Sequence, residues 1–384
     1  MLNGYYENKT KFYFGRDTEI NISNEIPRKS KVLLVYGRKS FLSSSLREKV
    51  LEILKAAKVK TFELGGVKPN PTADLVYEGI KICKKNRIEH ILAIGGGSVI
   101  DTAKAVSIGA CYKNDFSDFY NNLSKAEKSL KLGIILTNCG SGSETSDTSV
   151  ITFPEMQSKL AYSNKFMRAD YVIMNPENTL SVPIHTTICG IIDSITHVFE
   201  RYFSSTSYVD CSDRLSEGLI LTLMKYAKLI KSEPGNYDYR AEIMWSCKMA
   251  TDHLIYMGRK QDWACHLISH EIAALNDKAH AEILSVLYPK YLTYVANKRP
   301  DMLKQFAKRI FNTESVDDAI AKFKNFLIDL GMPTEYKEIG FTEIENIEKV
   351  AEKLSKVFPS GTIGNFVYLG KNDIINILTD KLEK

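Results

Sequence analysis

Cysteine is scarce and scattered. The seven residues Cys83, Cys111, Cys139, Cys189, Cys211, Cys247 and Cys265 form no CxxC pair. An odd, dispersed set excludes a disulfide framework and a CxxC redox or zinc motif, and predicts a reducing, cytoplasmic setting. Long apolar runs are also missing: the stretches Val32–Tyr36 and Ile134–Leu136 fall far short of the roughly 20 residues that span a bilayer. The first residues, Met1–Gly15, mix Asn, Tyr, Glu and Lys and lack the charged-then-apolar order of a signal peptide. No charge of one sign dominates. The 51 basic and 46 acidic side chains leave a net +5, and the densest basic clusters are as short as Lys84-Lys85. A nucleic-acid-binding stripe needs Lys and Arg gathered on one face, so this class is excluded.

What is present is an ordinary globular composition, 44% apolar and 25% charged. At roughly 100–200 residues per domain, the 384 residues make two domains. Short apolar runs alternate with helical periodicity in the first half. Strands are predicted at Val32–Tyr36, Thr61–Leu64, His90–Ile94, Leu132–Leu136 and Tyr171–Met174. Helices are predicted at Leu46–Ala57, Ala73–Lys85 and Ser98–Ala110, and a hairpin joins Ser149–Phe153 to Lys159–Ser163. Such alternation implies a Rossmann-like parallel sheet with helices on both faces. From about Val182 strands vanish, and helices follow at about 185–204, 210–231, 238–257, 263–276, 279–297, 300–311 and 315–330. The expectation is an α/β dinucleotide-binding domain over 1–181 and an all-α, metal-binding domain over 182–384, with the cleft between them as the default site.

Three segments of the first half offer phosphate or nucleotide chemistry. Gly95-Gly96-Gly97-Ser98 lies between a strand and a helix, where glycines let amides approach an anion and the helix start adds positive charge. Ser98 is the expected N-cap, with Asp101 three residues on as a short capping-box acid. A tight turn that binds nothing reads the same way, and the segment is neither GxGxxG nor a P-loop, so spacing leaves the cofactor open. Thr137–Thr145 brings hydroxyls and two glycines to a strand's carboxyl end, where α/β sheets bind ligands, or is simply a polar loop. Gly37-Arg38-Lys39-Ser40 ends the first strand with two cations and a hydroxyl. An acid there would suit ribose hydroxyls; cations suit a 2′-phosphate, favouring NADP(H) over NAD(H) unless the turn is merely solvated.

The second half concentrates imidazoles. Of seven histidines, His266 and His270 stand four apart, His280 follows, and Asp193 precedes His197 by four. Residues four apart share a helix face, and mixed carboxylate and imidazole ligands suit Fe²⁺ or Zn²⁺. His90, His185 and His253 lack such partners and read as structural. Cys265 points about 100° away from His266 on a helix, so it is not expected to share the ion. The HxxxH pair has no Glu after its first His, which argues against a zincin protease.

These segments together resemble the iron-containing (group III) alcohol dehydrogenase family, in the neighbourhood of butanol dehydrogenases and broad-range aldehyde reductases. The likeness runs from Tyr5 to about Tyr336, through Val32–Gly37, Gly66–Pro71, Ile94–Asp101, Gly140–Glu144, Gly190–His197, Gln261–Glu271 and Ala279–Pro289. The resemblance implies a metal held by Asp193, His197, His266 and His280, with His270 in the catalytic cleft as a substrate or proton group. It implies a diphosphate segment at Gly95, Gly96, Gly97, Ser98 and Asp101. Thr137, Ser141 and Ser143 match the nicotinamide-side loop, and Lys159 matches a cofactor-contacting lysine. Asn138-Cys139-Gly140-Ser141 departs from the more usual Leu/Val-Pro-Ala-Thr and loses a proline.

The implied chemistry is NAD(P)H-linked interconversion of alcohols such as butanol with their aldehydes, by a cytoplasmic homodimer. Two other readings share parts of this pattern. A dehydroquinate synthase-like lyase uses the same general plan but needs a dense Lys/Arg cluster at the metal, and the neighbours of Asp193, His266 and His280 are mainly apolar. A non-catalytic metal- or nucleotide-binding sensor would not need an intact ligand set.

Overall fold

The computed structural model describes every residue except Lys39, Ser40, Gln157, Asp277 and 380–384. The chain divides into two units. One comprises Glu7–Pro183 with Pro234–Lys248; the other comprises Met1–Tyr6, Ile184–Glu233 and Met249–Lys384.

The apolar runs of the first unit pair into one parallel sheet. Its strands are β1 (Lys11–Phe14), β2 (Lys31–Tyr36), β3 (Lys60–Leu64), β4 (His90–Gly95), β5 (Lys131–Leu136) and β8 (Tyr171–Met174). They lie in the order β1-β8-β5-β4-β2-β3, every neighbouring pair parallel. Because alternate side chains leave a strand on opposite faces, one run supplies two cores. Leu33, Val35, Ile91, Ala93, Ile134 and Val172 pack into one cluster, and Val32, Leu34, Leu92, Ile94, Ile135 and Ile173 into the other. Burial on both faces explains why these strands read as unbroken apolar runs rather than alternating ones.

Helix α1 (Ser45–Ala56) covers one face through Val50 and Leu54. Helices α2 (Ala73–Asn86) and α3 (Gly97–Gly109) cover the other through Val76, Ile80, Val99, Ile100, Ala103 and Val106. The hairpin β6 (Thr148–Phe153) and β7 (Ser158–Ser163) is antiparallel. The chain passes from β2 to β3 on one side and from β4 to β5 on the other. The order therefore reverses between β2 and β4, and the crevice at their carboxyl ends is where open α/β sheets take ligands. Gly37 and the Gly95–Gly97 turn sit at those two strand ends.

Strand β1 escaped the sequence reading. It has four residues, is only half-buried, and sits at the sheet edge beside β8. Its aromatic side chains are covered by α6 (Tyr237–Thr251): Phe14 meets Trp245 edge-on at 5.3 Å, and Lys248 lies 4.5 Å from the Phe12 ring centre. This packing is why Pro234–Lys248 groups with the sheet, a departure from a single cut at 181/182.

The other unit is helical: α4 (Ile184–Tyr202), α5 (Asp210–Ser232), α7 (Ala264–Leu275), α8 (His280–Val295), α9 (Pro300–Phe311), α10 (Val316–Asp329), α11 (Ile344–Leu354) and α12 (Lys371–Leu378). The helix expected over 238–257 stops at Thr251. Asp252 then caps a 3-10 turn, its carboxylate accepting from the Leu254 N–H at 3.0 Å. No helix among the described residues is long and apolar enough to cross a membrane.

Candidate active site

Helix α4 presents Asp193, His197 and Glu200 at i, i+4 and i+7, one stripe of its surface. His266 lies in the first turn of α7, and His280 is the first residue of α8. The donor atoms of Asp193, His266 and His280 all fall within 4.8 Å of one another. Asp193 Oδ1 lies 3.9 Å from His266 Nε2 and 4.0 Å from His280 Nε2. His197 stands beside this trio rather than within it. Its Nδ1 lies 3.2 Å from Asp193 Oδ1 and 2.8 Å from the Asp193 carbonyl, and its ring centre lies 4.5 Å from that of His266.

The imidazoles are oriented from behind. His266 Nδ1 donates to Glu200 Oε1 at 2.7 Å, and the same oxygen accepts the His266 backbone N–H at 3.0 Å. With Nδ1 occupied, Nε2 is the free nitrogen, the arrangement that fixes the tautomer of a metal-binding histidine. On His280, Nδ1 lies 3.3 Å from Ser269 Oγ, so its Nε2 also faces Asp193. Trp263 meets the rings of His197 and His266 edge-on, at 5.9 and 5.3 Å. His270, one turn after His266, brings its ring to 5.0 Å from His280.

Burial opposes charge throughout this cluster. It raises the Asp193 carboxyl, but the imidazoles of His197, His280 and His266 outweigh it and hold the group well below the usual carboxylate range. Burial, with His197 beside it, pushes His266 far down, so its imidazole is neutral and able to ligate. Burial pushes Glu200 up. Asp193 Oδ1 and His266 Nε2 are buried polar atoms with no hydrogen-bond partner among the described residues. Buried polar atoms are nearly always satisfied. A divalent cation between the Asp193 carboxylate oxygen and the Nε2 atoms of His266 and His280 satisfies both, so the donor set fits such an ion.

The nucleotide candidates gather on the sheet unit. Gly96, not Ser98, is the N-cap of α3, which already begins at Gly97. Asp101 caps nothing: Oδ1 accepts Ser143 Oγ at 2.5 Å and Oδ2 accepts the Val150 N–H at 3.1 Å. A Cβ on Gly97 would lie 2.3 Å from Ser141 Oγ, and one on Gly96 3.3 Å from Asn138 Cβ, so the two glycine-rich segments touch. Thr137 donates its N–H to the Gly95 carbonyl at 3.2 Å. Ser141 is exposed and Ser143 buried. Lys159 Nζ donates to Asn70 Oδ1 at 3.0 Å. Arg38 is exposed directly after Gly37, whereas Lys39 and Ser40 lie outside the described residues.

Two residues that organise these sites were not singled out from sequence. Glu200 carried a signal, its i+7 step from Asp193 along the ligand stripe. Lys104 carried a fainter one: with Asp101, it interrupts a helix of otherwise apolar or small residues, and a helix of that kind is buried all round.

Residues 9–176 match the family described as iron-containing alcohol dehydrogenase, and residues 187–382 match the C-terminal part of the Fe-containing alcohol dehydrogenase family. The chain is 35% identical to the probable NADH-dependent butanol dehydrogenase 1 of Bacillus subtilis, over 100% of both chains. It is 30% identical to the NADPH-dependent aldehyde reductase YqhD of Escherichia coli, over 88% of this chain and 90% of that one. Among solved structures, the NADH-dependent butanol dehydrogenase A of Thermotoga maritima superposes with a TM-score of 0.93 at 33% identity, over 100% of this chain and 99% of that one. Fold, site composition and both family matches agree: the chain belongs to the iron-containing alcohol dehydrogenase family of oxidoreductases.

Proposed function

We propose that this protein interconverts short aliphatic aldehydes such as butanal with their primary alcohols, using NADPH and one divalent cation, Fe²⁺ or Zn²⁺, held by Asp193, His197, His266 and His280. The observation that carries this reading is that the buried Asp193 Oδ1 and His266 Nε2, neither of which makes a hydrogen bond among the described residues, face each other at 3.9 Å inside the helical unit. When bound, the cation supplies Lewis acidity toward a carbonyl oxygen and the nicotinamide supplies hydride.

The remaining work falls to side chains. Asp193 provides a carboxylate oxygen beside three imidazoles, and Glu200 keeps the His266 proton on Nδ1. The Trp263 indole shields one side of the His197 and His266 rings. His270 is assigned the proton: a ring N–H given to the developing alkoxide during reduction, and taken back during oxidation. An imidazole ring can both give and take a proton. Gly95–Ser98 and Asp101 are assigned to the cofactor diphosphate, Thr137, Ser141 and Ser143 to the nicotinamide side, and Lys159 to a further cofactor contact. For Asp101 and Ser143 that role runs through shape, because they bond to each other.

Cofactor choice rests on Gly37, Arg38, Lys39 and Ser40, whose cations suit a 2′-phosphate. NADH is the second reading, favoured by the names of the butanol dehydrogenases from Bacillus subtilis and Thermotoga maritima, both NADH-dependent. Replacing Arg38 and Lys39 by Ser is expected to raise KM for NADPH by about tenfold or more while NADH changes little, since only NADPH loses charge-assisted bonds. Steady-state kinetics with both cofactors checks this; equal changes would remove the electrostatic argument. Butanal-dependent NADPH oxidation by stripped protein, reloaded with Fe²⁺ or Zn²⁺, tests the function as a whole. Metal-independent turnover would sink it.

A further inference from the structure

Lys104 is fully buried at the second turn of α3. Its ammonium donates to four oxygens: the Ser143 carbonyl at 2.5 Å, the Thr148 carbonyl at 2.8 Å, and Ser146 through its carbonyl at 2.9 Å and its Oγ at 3.1 Å. An ammonium has three N–H donors, so the bonds are shared and every donor is used. The next cation along, Arg168, donates to the Thr145 carbonyl at 2.7 Å. The carbonyls of Ser143, Thr145, Ser146 and Thr148 are thus all taken by two cations.

One turn earlier on α3, Asp101 holds the same segment by its side chain, through Ser143 Oγ, and holds the hairpin through the Val150 N–H. Ser149 Oγ closes the grip by donating to the Asp101 carbonyl at 2.9 Å. The far side of the loop, Ser141, lies against Gly97. The helix that begins at the first glycine-rich turn therefore fixes the second.

A buried cation is costly. Burial draws Lys104 down to about 8 against the pull of Asp101, Glu144 and Asp147. A hydrophobic residue would fill the same helix position without that cost. What the ammonium provides instead is a fixed point inside a loop of two glycines and several hydroxyls, a composition with little stiffness of its own.

We propose that Lys104 is a positioning residue for cofactor binding: it holds the loop 140–148 in the shape that the nicotinamide side of the cofactor requires. This rests on the assignment of Thr137, Ser141 and Ser143 to the cofactor. Lys104 itself touches neither cofactor nor substrate; it acts through the carbonyls it gathers.

The test uses the full-length, metal-loaded protein with Lys104→Met, and with Ser146→Ala as a milder variant that removes a single acceptor. Hydrogen exchange without cofactor reads the loop, NADPH fluorescence titration reads the cofactor, and the aldehyde KM at saturating NADPH reads the rest of the site. The expected result is faster exchange over 140–148 and NADPH affinity weaker by about 10- to 100-fold in Lys104→Met. Ser146→Ala should shift both in the same direction and less. The aldehyde KM and metal content should stay as in the parent, a split that general loosening would not produce. Should Lys104→Met fail to fold, the Ser146→Ala measurements decide. Unchanged exchange over 140–148 would overturn the anchoring role. Faster exchange with unchanged NADPH affinity would overturn its link to the cofactor while leaving the metal centre untouched.

Discussion

Substituting His266 by Ala is expected to yield a protein that still binds NADPH but retains no divalent metal and reduces aldehyde only at a small residual rate. The nitrogen that would be lost, Nε2, is buried, unpartnered and 3.9 Å from Asp193 Oδ1. Lewis-acid stabilisation of a developing alkoxide is worth several kcal/mol. At about 1.4 kcal/mol per factor of ten, turnover should fall by roughly 10³-fold or more. The same change strips Glu200 of the imidazole it binds, so a stability cost accompanies it. His280→Ala separates the two effects. His280 is more exposed, at 26% of its side chain against 5% for His266. It should lose metal and turnover with little change in thermal unfolding of the metal-free protein. Metal analysis, NADPH titration and calorimetry on both variants check this; full activity in a demonstrably metal-free His266→Ala preparation would refute the ligand assignment.

The second large effect is expected at Glu200, which touches no substrate. Glu200 Oε1 binds both the ring and the backbone N–H of His266, and burial leaves water no access to replace it. Glu200→Leu orphans both donors. Losing an outer partner of this kind typically weakens metal binding about 10- to 100-fold, and leaving a buried donor unsatisfied costs about 1–3 kcal/mol of stability. Glu200→Gln keeps an acceptor oxygen but removes the charge, so it should lie between the parent and Leu in metal affinity. Competition with a chelating dye measures it. A Leu variant that binds Zn²⁺ as tightly as the parent would show that His266 does not depend on this bond for its orientation.

The sheet was legible because its strands are buried on both faces. Val32–Val35 and Ile91–Ile94 are apolar without interruption, and such a run admits few other readings in so short a length. Strand β1 was not legible, because an edge strand with one covered face has neither the run nor a clean alternation. The N-terminus of α3 was misplaced for a different reason. Serine is a preferred cap, but here a glycine holds the cap position and the helix opens inside the Gly95–Gly97 turn. Asp101, freed from the capping role, binds the neighbouring loop instead.

The candidate site was legible in its residue types and not in its supports. Residue chemistry and spacing drew attention to Asp193, His197, His266, His270 and His280, the resemblance narrowed them to a ligand set, and the fold brings the donor atoms of Asp193, His266 and His280 together. Glu200 and Lys104 announce nothing by type, since acids and lysines are common on surfaces. What gives them meaning is burial against the His266 imidazole or against one loop, which depends on tertiary packing. His197 shows the reverse limit: its spacing from Asp193 is right, yet in this structure its Nδ1 is turned toward the Asp193 carbonyl.

The central claim is that one cation is held by Asp193, His197, His266 and His280. The most direct test is anomalous diffraction from crystals of the zinc-loaded protein, at energies on either side of the metal edge. The account predicts one peak per chain, at about 2.0–2.2 Å from a carboxylate oxygen of Asp193 and from a ring nitrogen of each of His197, His266 and His280. A fully loaded protein whose anomalous peak lies elsewhere, for instance against a cysteine sulfur at about 2.3 Å, would contradict it.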